Sequence, residues 1–430
     1  MTAYTDMGTD ELSALRTQLE TQLEDVRAKG LQLNMARGKP GADQLELSMP
    51  MLDMVTSASD LHAADGTDCR NYGVLLGLPE ARELMASLVG ARPEQTVVCG
   101  SSSLALMFAA VSRAWTHGLA GNAPWGTLPC VKFLCPAPGY DRHFTICEYF
   151  GIEMIPIEMG PDGPDMARVK QLVEGDAAVK GIWCVPKYAN PLGTSYSDET
   201  VRAFAALEPA APDFRIFWDN AYVVHHLSSD PAEQDSVLNL LELLEQAGKP
   251  DMAFQFCSTS KVTFPGAGIA AVSASEANVA RIAAALTPET IGFDKINQLR
   301  HVRFLKDAEG VAAHMAKHAE LIAPKFDAVL NALETELADI GGCSWSTPRG
   351  GYFVSFFGPH GTAKRVVELA ASAGVTMTGA GATWPLHDDP HDSDIRIAPT
   401  YPSLEELQLA MQVFCTCVKL ASVERLLAQA

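Results

Sequence analysis

The strongest constraint on the fold of this chain is a run of strand and helix signals that alternate from residue 95 to residue 273. Strand-like runs lie at 95–99, 131–135, 152–157, 179–185, 214–218, 252–257 and 269–273. Helical periodicity fills 103–115, 165–174 and 197–207, with Ser197 as the expected cap of the last. Such alternation predicts an α/β protein with a mostly parallel central sheet flanked by helices. Ligands of these sheets lie at the carboxyl ends of the strands. Beyond the run, 310–337 reads as one long amphipathic helix. A half-buried strand at 351–357, a helix at 363–373, the strand Ile395-Arg-Ile-Ala and a C-terminal helix from Ser403 follow. With the N-terminal helix at 11–29 they predict a smaller α+β domain built from both termini. The expected divisions are 1–48, 49–309 and 310–430, the middle segment being the larger, ligand-binding domain.

Composition narrows the function. The chain has 430 residues, 32 basic against 52 acidic, and a net charge of −20. Nucleic acid is not an expected partner, because phosphate neutralisation needs clustered Lys and Arg. No window holds 18 uncharged apolar residues, so no membrane span is expected. Residues 1–29 carry acids throughout and lack an apolar signal core, which predicts a cytoplasmic location. The ten cysteines fit reduced thiols, and no set of His and Cys has zinc spacing. No metal is expected.

Chemistry gathers at the predicted strand ends. Ser258-Thr-Ser260-Lys261 follows the apolar run Met252-Ala-Phe-Gln-Phe-Cys257. A lysine there is costly unless it has a partner or a covalent use; desolvation favours the neutral amine, the form that makes a Schiff base. Phe214-Arg-Ile-Phe-Trp-Asp219-Asn-Ala-Tyr222 ends another strand in an acid. Asp219 alone reads equally as a loop or cap residue. Beside Lys261 it could keep a pyridine nitrogen protonated and turn such a ring into an electron sink. Gly100-Ser101-Ser102-Ser103, between a strand and a helix, suits an anion or a plain N-cap. Tyr140, after the turn Pro136-Ala-Pro-Gly139, could stack on a planar ring, and Asn190 in Asn-Pro-Leu-Gly193 could donate to a ligand oxygen. Arg396, flanked by isoleucines, needs an anion: a structural partner or a bound carboxylate.

The ordered set Ser101–Ser103, Tyr140, Asn190-Pro-Leu-Gly, Asp219-x-x-Tyr222, Ser258-x-Ser-Lys261 and Arg396 resembles the fold-type I, pyridoxal-phosphate-dependent aminotransferases. Asn34-Met-Ala-Arg-Gly-Lys-Pro40, Asn71-Tyr-Gly73 and Thr259-Ser-Lys-Val-Thr-Phe-Pro-Gly-Ala-Gly268 are similar to a divergent bacterial subgroup of aspartate aminotransferases. The resemblance implies pyridoxal 5'-phosphate as cofactor, with Lys261 joined to it as a Schiff base and later acting as acid–base catalyst. It implies Asp219 on the ring nitrogen, Tyr222 and Asn190 on the ring oxygen, and Tyr140 stacked on the ring. Ser101, Ser102, Ser103, Ser258 and Ser260 would serve the phosphate, with Tyr72 reaching over from the second subunit of a homodimer. Gly38, Asn190 and Arg396 would take the substrate α-carboxylate. A dicarboxylic substrate needs a second cation, for which Arg37, Lys39, Lys295 and Arg303 are candidates. The family's phosphate-binding arginine shortly after the lysine has no counterpart in 262–269.

The activity so implied is ping-pong transamination between aspartate and 2-oxoglutarate. The same cofactor site could instead run β-elimination, decarboxylation or transfer from another amino donor. A non-catalytic amino-acid sensor would need a DNA-binding module, and the acidic segment before Leu31 does not read as one. A nicotinamide enzyme is disfavoured because Gly266-Ala-Gly268 lacks the third glycine and the later acid of that fingerprint.

Overall fold

The computed structural model describes residues 3–430. Its strands are β1 (Leu33–Asn34), β2 (Thr96–Val98), β3 (Lys132–Ala137), β4 (Glu153–Gly160), β5 (Gly163–Pro164), β6 (Val179–Cys184), β7 (Arg215–Asp219), β8 (Ala253–Ser258), β9 (Ala270–Ser273), β10 (Ser344–Trp345), β11 (Val354–Phe357), β12 (Val375–Thr376) and β13 (Asp394–Ile397). Eight of them form the main sheet in the order β2-β9-β8-β7-β6-β3-β4-β5. From β8 to β4 neighbouring strands run parallel; β9 is antiparallel to both β8 and β2, and β5 to β4. The sheet is the mostly parallel one expected.

Every residue of β6 and β7 is buried, because helices cover both faces and no side of either strand meets water. On one face Phe133, Trp183 and Phe217 pack with Val111 and Phe144 of the helices Ser103–His117 and Asp141–Phe150. On the other, Ile182, Ile216 and Trp218 meet Phe204 of the helix Asp198–Ala206 and Leu240 of the helix Leu240–Gln246. Ser197 caps Asp198–Ala206 as expected, its hydroxyl accepting from the Thr200 N–H. One buried charge pair lies in this core: Lys180 Nζ is 2.6 Å from Asp213 Oδ1, and Trp125 Nε1 donates to Asp213 Oδ2.

A second core is made by both ends of the chain. Leu19 and Leu23 of the helix Thr9–Arg27, Val329 and Leu333 of the helix Ala308–Leu337, and Phe414 and Val418 of the helix Leu404–Gln429 pack against the antiparallel sheet β10-β11-β13. The parallel pair β1–β12 ties the N-terminal segment to this body, with Leu33 opposite Val375. Among the described residues no helix is long and apolar enough to cross a membrane.

Two local expectations need correction. The strand expected at 351–357 begins only at Val354. Gly351 has φ of 85° and donates its N–H to the His225 carbonyl, so the chain there bends towards the main sheet. The helices Pro79–Val89, Asp141–Phe150, Glu276–Leu286 and Lys295–Leu305 are additional to those expected. Pro79 opens the first of them and Gly90, at φ 69°, closes it, the usual punctuation of a helix.

The β1–β12 tie depends on Gly374, at φ 82°, whose carbonyl accepts from the Leu33 N–H; an added Cβ would lie 2.0 Å from the Leu31 carbonyl oxygen. Gly374→Ala is expected to cost about 1–3 kcal/mol. A lower urea midpoint with an unchanged slope would report it.

Candidate active site

The carboxyl edge of the main sheet gathers the chemistry. Asp219 ends β7, Ser258 ends β8, and the turn to Lys261 follows directly. Tyr140 and Asn190 come from the loops after β3 and β6, and Ser102 precedes the helix Ser103–His117 after β2 without a capping bond from its side chain. Ser102, Ser103, Tyr140, Asn190, Asp219, Tyr222, Ser258, Ser260 and Lys261 line one cavity of about 210 Å³. Residues far apart in sequence thus share a single cleft.

Asp219 is 1% exposed. Its Oδ2 lies 3.2 Å from His143 Nε2, whereas Oδ1 is buried with no partner. The His143 ring is stacked on Trp183, 4.6 Å between centroids and 11° between planes, which fixes the imidazole against the carboxylate. A buried carboxylate oxygen without a donor costs about 1–3 kcal/mol. The site therefore presents an anion with unused capacity for a cationic N–H.

Lys261 keeps part of its surface open to the cavity, yet burial lowers its pKa, with the Asp219 charge acting in opposition. Its Nζ lies 4.9 Å from the Tyr222 ring centroid. Burial, then the neighbouring Tyr140, raises the Tyr222 pKa well above its usual value, so Tyr222 keeps its proton as a donor. Tyr140 is raised by burial too, and its ring meets His143 edge-on at 5.0 Å.

The backbone of Lys261 is also held. Its carbonyl accepts from Tyr352 OH at 3.4 Å, and His225 Nε2 lies 3.3 Å away, a contact that requires the Nε2–H tautomer. Gln44 Nε2 donates to Tyr352 OH and lies 3.2 Å from His318 Nδ1 on the helix Ala308–Leu337. Burial lowers the pKa of His225 and brings that of His318 to about 4, so both rings are neutral near pH 7. The lysine turn is thereby coupled to the second core.

Arg396 of β13 is 8% exposed and enters the same region from the opposite body. Its Nη1 donates to Asn190 Oδ1 and to Asp141 Oδ1, each at 3.1 Å. The guanidinium sits 4.8 Å from the Phe353 ring centroid, and its Nε is buried without a partner. Gly38 lies against the same ring: a Cβ there would come within 2.1 Å of Phe353. Gly38, Asn190 and Arg396 are therefore neighbours.

Other expected residues lie outside the cavity lining. Ser101 is exposed and lies outside the cavity lining, although its carbonyl accepts from Ser260 Oγ. Lys295 is not free to meet a ligand: it is 4% exposed and its Nζ donates to the Gly73 carbonyl. Arg303 donates to the Asp60 carbonyl. Arg37 and Lys39 are exposed, with Lys39 Nζ 3.9 Å from the Tyr401 ring centroid. Tyr72 is 80% exposed. Lys261 supplies the cavity lining with its single cation. The N–H groups of Ser103 and Leu104, in a first helical turn, and the helix dipole remain to favour an anion.

Sequence reasoning missed His143, Asp141, Phe353 and Tyr352. His143 and Asp141 share a helix start with Tyr140, a proximity readable from the sequence. Tyr352 and Phe353 precede β11; the docking of the two bodies brings Tyr352 to the lysine, and the pairing of β11 with β13 sets Phe353 beside Arg396.

The family model of aspartate amino-transferase matches residues 7–430. The chain belongs to the aspartate aminotransferase family. It is 42% identical to an aspartate aminotransferase of Corynebacterium glutamicum over 420 residues, covering 97% of this chain and 96% of that protein. The crystal structure of an aspartate transaminase from the same species superposes with a TM-score of 0.95, over 98% of this chain and 99% of that one, at 42% identity. A Mycolicibacterium smegmatis relative is 45% identical over 427 residues, 99% of each chain. The fold is that of the type I aminotransferases, shared at a TM-score of 0.73 and 19% identity with an aminotransferase of Thermus thermophilus. Aminotransferases of this family and fold use pyridoxal phosphate, and Asp219 Oδ1, the lowered Lys261 amine and the Ser102–Ser103 helix start fit such a group.

The lowered Lys261 pKa carries a signed consequence for stability. Between its folded value and the ordinary 10.5, the unfolded chain binds a proton that the folded one does not, so stability rises with pH. In cofactor-free protein, Lys261→Met is expected to raise the thermal midpoint at pH 7. The difference should shrink as the pH climbs towards 10.5, which a series of melting curves will measure.

Proposed function

We propose that this protein transfers the amino group of L-aspartate to 2-oxoglutarate with pyridoxal 5'-phosphate, as a cytoplasmic homodimer. The observation that supports this most is the half-satisfied Asp219 carboxylate in one cavity with the Lys261 amine. When bound, the cofactor supplies an electron-withdrawing ring that acidifies the hydrogen on the substrate α-carbon. Asp219 Oδ1 would accept from the ring nitrogen and keep it protonated. Tyr222 and Asn190 would donate to the ring oxygen, and Tyr140 would stack on the ring. Ser102, Ser103, Ser258 and Ser260 would donate to the phosphate, with Ser101 at the rim and the helix dipole partly standing in for an arginine.

Lys261 Nζ would hold the cofactor covalently, and its free amine would serve as the base for the proton on the substrate α-carbon. Burial lowers its proton affinity and so favours the neutral amine that this role needs, while the nearby Asp219 charge acts in opposition. Arg396 and Gly38 receive the α-carboxylate. Arg37 or Lys39, both exposed beside Gly38, would meet the distal carboxylate. Tyr72 would extend from each subunit to the phosphate in the other. Residues 49–309 form the cofactor-binding body in this reading, and 1–48 with 310–430 the smaller one.

The test is product formation from L-aspartate and 2-oxoglutarate, followed as oxaloacetate and glutamate. Lys261→Ala is expected to lower kcat by about a thousandfold or more while cofactor absorbance is retained. Equal or faster turnover of L-alanine, or release of ammonia without need of an oxo acid, would overturn the reading.

A further inference from the structure

The α-carboxylate site already contains a carboxylate of its own. Asp141 is the first residue of the helix Asp141–Phe150, and its Oδ1 takes Arg396 Nη1 at 3.1 Å. The same Nη1 donates to Asn190 Oδ1, while Nη2 has only a 3.4 Å contact to Thr378 Oγ1 and Nε is buried beside Phe353. A carboxylate that arrives end-on, across Nη1 and Nη2, meets an Nη1 that already holds Asp141. We infer that Asp141 is a built-in competitor that weakens the hold of Arg396 on carboxylate ligands and so promotes their release, an inference that rests on Arg396 being the α-carboxylate anchor.

Three features suit Asp141 to yield reversibly. Its side chain is 28% exposed against 8% for Arg396, so water can receive it when it lets go. It sits in the first turn of a ten-residue helix, where the dipole favours a negative charge with or without Arg396. Asn190 stays on Nη1 in either case and keeps the guanidinium aimed. A pair made only to position Arg396 has no need of the charge on Asp141, because an amide oxygen accepts the same hydrogen bond. Competition does need it, since two carboxylates on one guanidinium repel.

Asp141→Asn separates these roles: it keeps shape and acceptor oxygen and removes the charge. The probe is succinate, a dicarboxylate with neither amino nor oxo group, titrated calorimetrically into the holoenzyme. Asp141→Asn is expected to lower the succinate Kd at least tenfold, Asp141→Glu to leave it near the wild-type value, and Arg396→Lys to raise it at least tenfold. In Asp141→Asn/Arg396→Lys the gain from losing the aspartate should vanish. An unchanged or higher Kd for Asp141→Asn, with Arg396→Lys still weakened, would overturn the competition and leave the Arg396 anchor standing. An unchanged Kd for Arg396→Lys would remove the anchor itself. Thermal unfolding of each variant confirms that the comparison is between folded proteins.

Discussion

Asp219 sits at the end of a central strand, buried, with one oxygen held by His143 and the other unpaired. The fold tolerates this only because its surroundings are stiff. His143 is clamped on Trp183, Trp183 packs on Phe133 and Phe217, and these side chains form the dry layer under the helices. A carboxylate so fixed cannot relax towards water or find another donor. It is poised for a cationic N–H from a ligand, and binding such a group offsets the cost of keeping it buried. The parallel pairing of β7 with β8 then fixes how far that acid stands from the lysine turn.

Charge is used sparingly in the cleft. In a chain of net charge −20, Lys261 is, among the described residues, the one cation lining the cavity, and Arg396 of β13 adjoins it through Asn190. Each is moderated: burial lowers the proton affinity of Lys261, and Asp141 occupies Arg396. An unmoderated ammonium would be a poor base. An unmoderated guanidinium would release carboxylates, substrate and product alike, more slowly. The hydroxyl-rich helix start offers partial positive charge in place of a third fixed cation. It also adds no positive charge near Lys261 that would lower its proton affinity further.

The strand–helix alternation was legible because β6, β7 and β8 are short apolar runs bounded by turn residues, and because polar residues of the cavity stand at or soon after their ends. Asp219, Lys261, Tyr140 and Asn190 were readable for that reason: a polar group at the carboxyl end of a buried strand has few structural excuses. The docking of the second body was not. Phe353 and Tyr352 look like ordinary strand residues until the bend at Gly351 places one under Arg396 and the other on the Lys261 carbonyl. Lys295 shows the opposite error. As a cation it is a candidate for the distal carboxylate, whereas the helix Lys295–Leu305 buries its amine on Gly73. Sequence spacing reports which strand end a residue occupies, and it says little about contacts made across the two bodies.

The central claim is that Asp219 holds a protonated pyridine nitrogen beside Lys261. The most direct measurement is the nuclear magnetic resonance shift of that nitrogen, isotope-labelled, in pyridoxal 5'-phosphate bound to the wild-type protein and to Asp219→Ala. A protonated nitrogen across neutral pH in the wild type, and an unprotonated one in the variant, is the predicted result. An unprotonated nitrogen in the wild type, or no change on removing the aspartate, would contradict the account.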